Sequence, residues 1–162
     1  MGAGLGGGVM ALLGAIAFKA LQGSGKSKPP VPLGLLEPQT DADHRMLEQQ
    51  AEIVLKAMIN AAKADGQIDQ KEMQRIVGKL QEVGADAKGQ RYVLTEMQKP
   101  IATEELISAA GNQPELAAQI YAASLMAIEV DTTAEKTYMG VLANSLDLST
   151  ATVRRIEQMV GL

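Results

Sequence analysis

Apolar positions along this chain recur every three or four residues. Leu47, Ala51, Val54, Met58 and Ala62 keep i, i+4, i+7 spacing, which gives a helix from about Thr40 one apolar face to bury. Met73, Ile76, Val77 and Leu80 repeat the pattern and stop at Gly84. Asp86 is placed to cap a third helix carrying Val93, Leu94 and Met97, closed by Pro100. Thr103, Leu106 and Ile107 start a short fourth. Asn112 and Pro114 open a long fifth with Leu116, Ile120, Ala123 and Ala127. Met139, Leu142 and Leu146 mark a sixth, and Ser149 caps a last helix holding Val153, Ile156 and Met159. No stretch alternates convincingly with period two. The pattern predicts an all-α fold, a compact bundle of about seven helices joined by short turns, preceded by an N-terminal apolar helix.

That first helix is of a different kind. Residues from Gly2 to Gly23 are apolar and rich in glycine, and no side chain from Leu5 through Phe18 is charged. The run approaches the lower limit of roughly 17 residues for a spanning helix, with Lys19 able to extend toward headgroups. A transmembrane anchor is the expectation. The alternatives are a signal peptide, a re-entrant or interfacial segment, and a helix buried in the globular body. Gly4 and Gly8 have the spacing that lets two helices approach closely in lipid, a route to a homo-oligomer. Gly23 to Pro38 follows, mixing Gly and Ser with Pro29, Pro30, Pro32 and Pro38, and reads as a linker. The expected domains are an anchor helix at residues 1–22, a linker at 23–39 and a helical domain at 40–162.

Within the body, a shift of 66 positions aligns two helical hairpins. Asp65 falls on Asp131, Asp69 on Glu135, Met73 on Met139, Ile76 on Leu142 and Leu80 on Leu146. Each half reads as helix, acidic turn, helix. A duplicated hairpin could pack with pseudo-two-fold symmetry and bring its two acidic turns together.

Composition narrows the chemistry. There is no Cys and no Trp and one Phe, so disulfides and thiolate sites are excluded and the core must be aliphatic. All 19 acidic residues lie at or after Glu37, while Lys19, Lys26 and Lys28 precede it. An acidic body repels phosphates, so no nucleic-acid partner is expected. The lysines after the apolar run favour a cytoplasmic body under the positive-inside tendency. The single His44 sits beside Asp41 and Asp43 at a helix start, Glu104 and Glu105 point apart on a helix, and no Gly-x-Ser-x-Gly elbow occurs. Gly25-Lys26-Ser27 has Ala20 where a phosphate-binding loop needs Gly. No catalytic residue is expected, and the chain is read as a non-enzyme.

The remaining chemistry is the acidic turn Asp65-Gly66-Gln67-Ile68-Asp69-Gln70-Lys71-Glu72. It matches the last eight positions of a calcium loop, but Ala61 and Lys63 stand at the first and third ligand positions, and Lys63 would repel a cation. A full EF-hand is thereby excluded. Asp65, Asp69 and Glu72, joined by Asp131 and Glu135, could still hold a divalent cation such as calcium, magnesium or manganese. The competing reading gives Asp69 and Glu72 to helix capping alone.

The stretch from Ala61 to Glu72, with Ala127-Ile128-Glu129-Val130-Asp131 and Glu135 as its partner, resembles the TerB-like domain, named for a bacterial tellurite-resistance protein. A Gly-rich apolar segment ahead of such a domain is similar to a family of uncharacterised bacterial inner-membrane proteins. The resemblance covers roughly residues 45 to 160 and the anchor. It implies an all-α fold, an inner-membrane setting, single-pass, and a divalent-ion site; it implies no reaction. Two readings of function lead, ahead of a metal-dependent hydrolase that would use the acidic turns. One is a membrane-tethered, non-catalytic interaction or sensor module, contacting lipid through the N-terminal helix and a protein partner through the body, in envelope or metal and oxyanion stress. The other is a structural scaffold whose acidic helical surface binds a basic protein partner without metal.

Overall fold

The computed structural model describes residues 7–22, 40–64, 70–71, 73–74, 77–78, 91, 95–99, 103–128 and 132–161. Six helices have described bounds: α1 Gly7–Gln22, α2 Asp41–Ala62, α3 Thr103–Ala110, α4 Pro114–Ala127, α5 Thr133–Ser145 and α6 Thr150–Val160. Gln70, Lys71, Met73, Gln74, Val77, Gly78, Arg91 and Thr95 to Met97 are also helical. No strand occurs among the described residues. The all-α expectation holds.

Helix α4 is the axis. Every residue from Leu116 to Leu125 is buried, the condition of a helix that is apolar on all sides. It packs against α1, α2, α3, α5 and α6, most extensively against α2 and α1. Pro114 sits at its first turn, where no amide is needed. Small residues let neighbours approach: Ala117, Ala118, Ala122 and Ala123 on α4, and Ala51, Ala57, Ala61 and Ala62 on α2, are all buried. At the crossing, Ser124 Oγ donates to its own helix at Ile120 O, 2.8 Å away, and lies 3.4 Å from Ala57 O of α2.

The apolar face expected on α2 is buried at Ala51, Val54, Met58 and Ala62. On α5 and its C-cap, Met139, Leu142 and Leu146 are buried as expected, and on α6 Ile156 is. Met159 departs from that pattern and stays 38% exposed, because α6 turns only its Thr152 and Ile156 side fully inward. Thr40 caps α2 by accepting from Asp43 N at 3.1 Å, and Ser149 caps α6 by accepting from Thr152 N at 3.1 Å. Asn112 does not cap α4; the N-cap is Gln113, with no side-chain bond.

The N-terminal helix is packed into the body. Leu13, Ala17 and Ala20 are fully buried and Ile16 nearly so, with α1 lying against α4 and α6. Arg155 Nη1 of α6 donates to Ala20 O at 3.0 Å, holding the carbonyl end of α1 with a cation. Sixteen residues at 1.5 Å each give about 24 Å, short of the ~30 Å hydrocarbon thickness. Among the described residues no helix is long and apolar enough to cross a membrane. The described part of the apolar segment packs on the body, the arrangement that the sequence offered as the alternative to an anchor. Its small residues match the alanine-rich surface of α4, and the body covers one of its faces.

Candidate functional site

The acidic turns come first because the sequence singled them out. Asp65, Asp69, Glu72 and Asp131 lie outside the described residues, as does Gly4 of the glycine pair, while Gly8 stands in the first turn of α1. Glu135 is described and buried, 2% exposed, at the third position of α5. Its Oε2 accepts from Thr132 N at 3.1 Å and from Thr132 Oγ1 at 3.0 Å, while Glu135 N donates to Thr132 Oγ1 at 3.1 Å. This is a reciprocal capping box, in which the side chains of the first and fourth residues satisfy each other's amides. The box engages one of the carboxylate oxygens that a cation would use. Among the described residues no three His, Asp or Glu side chains group as metal ligands.

Lys63 was expected to repel a cation from this turn. Its Nζ donates to Glu96 O at 2.8 Å and to Lys99 O at 2.7 Å. Those carbonyls end the helical turn at 95–97, so the ammonium caps it. Burial lowers the Lys63 pKa, partly offset by the Glu96 charge, with Lys99 adding to the lowering. Lys99 meanwhile pairs with the Glu96 carboxylate at 2.7 Å, and that bond raises its pKa. His44 is exposed at the start of α2, as the sequence suggested, and Glu104 and Glu105 are exposed on α3. Glu105 takes Lys56 of α2 at 3.1 Å.

A second feature was not singled out from sequence. Between α2 and the α3–α4 corner lies a groove of about 370 Å³, floored by Ile53, Ala109 and Leu116 and edged by Met46, Gln50 and Glu52. Met46 is 48% exposed at its mouth. Gln50 Oε1 is buried there without a hydrogen-bond partner. Met46, Gln50 and Ile53 stand at i, i+4, i+7, a second stripe beside the buried face of α2, so the spacing could have shown it. Glu52 is the charged side chain of its lining, and the bases of α2 are Arg45 and Lys56. Of those bases, Lys56 is paired with Glu105, and Arg45 donates to Asp41 O at 3.4 Å.

A larger cavity of about 620 Å³ lies where α1 ends and α4 and α6 begin, lined by Leu21, Pro114, Leu146, Asp147 and Ser149 among others. Asp147 adopts φ of 58° there, closing α5 with Leu148 N donating to Ala143 O.

Comparison with known proteins follows the same outline. A model of the DUF533 family, described as a protein of unknown function, matches residues 1–160, so α1 falls inside the family unit. A protein of Yersinia enterocolitica, described as an uncharacterized protein in the ampR 5' region, is 30% identical over 122 residues, covering 75% of this chain and 87% of the relative. No solved structure matches.

Proposed function

The chain belongs to DUF533, a TerB-like family, and from that membership we propose that it is a non-catalytic interaction module held at a membrane surface by α1. The observation that carries the membrane contact is the mismatch between α1 and its socket. The helix is apolar apart from Lys19 and Gln22, and among its described side chains the body buries the face with Leu13, Ile16, Ala17 and Ala20. Ala15 and Phe18 are left partly exposed, and Lys19 is exposed. A docked helix that shows an aromatic and a lysine outward suits the interface plane better than the bilayer interior. Lys26 and Lys28 follow it in sequence and, with Lys19, favour an anionic surface. The acidic body then faces away from that surface, free to meet protein.

Vesicle flotation of the full chain tests this. Co-flotation with vesicles containing phosphatidylglycerol, reduced by Phe18→Glu, is the expected result. A full chain that stays at the bottom of the gradient with both neutral and anionic vesicles would overturn the membrane contact.

A further inference from the structure

We propose that the outward face of α5 pairs with the same face of a second copy of this chain, the two helices running antiparallel about a two-fold axis. The pairing goes beyond the interaction-module reading and does not depend on the membrane contact.

The outward face of α5 is built unlike a solvated one. Thr137, Gly140, Val141 and Asn144 stand at i, i+3, i+4 and i+7 and are all exposed, opposite the buried Glu135, Met139, Leu142 and Leu146. Where water alone covers a helix, strong helix formers and charged side chains fill it. The exposed positions of α3 and α6 follow that rule with Glu104, Glu105, Arg154 and Gln158. All four outward residues of α5 are poor helix formers instead, Gly140 the poorest. Val141 is 55% exposed, the most of any large apolar side chain among the described residues. Beside it, nothing outside its own helix lies within 4 Å of the Cβ position of Gly140. A projecting valine next to a glycine gap is a shape that fits itself. A two-fold operation sets each Val141 against the Gly140 of the other copy.

The charges of this helix choose the occupant. A helix favours anions at its N-terminus and cations at its C-terminus. Lys136 stands in the first turn of α5, and Asp147 directly follows the C-cap Leu146. Both are exposed at the wrong ends, and neither has an ionic partner among the described residues. Counted along the helix, Lys136, Gly140 and Asp147 stand at i, i+4 and i+11, on one edge of the face. An antiparallel copy repairs both ends, because Lys136 of each copy comes to the C-terminal end of α5 and to Asp147 of the other. A uniformly basic or acidic partner would match one end and oppose the other. Between the two charges the face is neutral, so a chain of net charge −4 meets its like there without acid opposing acid.

One helix pair covers less than the ~1,600 Å² of a standard interface, so the dimer is weak, with a dissociation constant on the order of 100 µM. Sedimentation equilibrium of the full chain, over concentrations spanning that constant, should show a monomer–dimer equilibrium that weakens as salt is raised. Val141→Glu should weaken it at least about tenfold, since symmetry places each substitution in the contact twice. Lys136→Glu alone and Asp147→Lys alone should do the same. An equimolar mixture of those two variants should associate again, because each brings the charge that the other lacks a match for. Met46→Lys, at an exposed apolar position of α2, should leave the equilibrium unchanged. All these positions are exposed, and circular dichroism of each variant confirms the fold. A chain that stays monomeric throughout would overturn the pairing. So would a dimer indifferent to Val141→Glu, or a mixture of the two charge variants that stays monomeric. A dimer broken by Met46→Lys and not by Val141→Glu would assign self-association to α2 and overturn the α5 face.

Discussion

Replacing Leu13 with alanine asks whether α1 belongs to the core. Leu13 is 0% exposed on a helix lying against α4 and α6. The substitution removes three carbons, about 2.4 kcal/mol of transfer free energy at about 0.8 kcal/mol per methylene. The hole adds to this, because the alanines beside it carry no rotamers that could swing in: Ala17 and Ala20 on α1, and the alanine-rich face of α4. The total should come to about 3–4 kcal/mol, inside the range for buried leucine truncations. For a chain of this size that lowers the melting temperature by roughly 6–15 °C. Urea unfolding of the full chain, followed by far-ultraviolet circular dichroism, measures it. Phe18→Ala serves as the control, since Phe18 is only partly buried, and it should cost less than Leu13→Ala by at least about 1 kcal/mol. A loss below about 1 kcal/mol for Leu13→Ala would refute the packing, because a leucine in a core cannot be truncated so cheaply.

Four further outcomes follow from the same structure. Arg155→Ala removes the guanidinium from Ala20 O, and should cost about 1 kcal/mol in the same urea assay. Asp147→Gly relieves a left-handed backbone at φ 58°, and should raise stability by about 0.5–1 kcal/mol in thermal melts. Tyr121 donates to Glu157 Oε1 at 3.1 Å, and burial, with the Glu157 charge and bond, raises its pKa well above 10. The unfolded chain therefore loses that proton first. Stability is level below pH 10 and falls above it by at most about 1.4 kcal/mol per pH unit for this group, and Tyr121→Phe should flatten that fall. For the acidic turns, weak divalent binding by Asp65, Asp69, Glu72, Asp131 and Glu135 is proposed at about 0.1–1 mM. Melting with calcium, magnesium or manganese against sodium chloride of equal ionic strength checks it; identical melts would leave capping as their role.

The helices were legible because burial here follows a simple period. Val54 and Met58, or Met139 and Leu142, are fixed by spacing alone, since each of those helices turns one face inward. The fate of α1 was not legible by that route. A helix that is apolar on every side gives the same pattern whether lipid or protein surrounds it, and α4 has the same character at the centre of the body. What separates the two environments is the partner surface, which is a property of distant residues. Ala117, Ala118, Ala122 and Ala123 on α4 make close packing possible, and Arg155, 135 positions from Ala20, meets the end of α1.

The second acidic turn shows how a repeat alignment can hide a local motif. Matching Asp69 to Glu135 assigns both the same role and treats Thr132 as a departure, because Gly66 stands opposite it. Read without the alignment, Thr132-Thr133-Ala134-Glu135 is a capping box in its own right, and the structure forms it with both reciprocal bonds. Asp69 with Glu72 spells the same motif three residues later in the aligned frame, so the two hairpins share a motif without sharing its register. That offset bears on a shared cation. Residues matched by the shift need not occupy matching positions on their helices, so Glu135 and Asp69 are not equivalent donors. Glu135 is buried with Oε2 bound to Thr132. Recruiting it for a metal would expose the Thr132 amide it now satisfies, a loss of about 0.5–2 kcal/mol for a helix cap. Any cation that uses Glu135 must overcome that cost first, which is why the affinity expected there is weak.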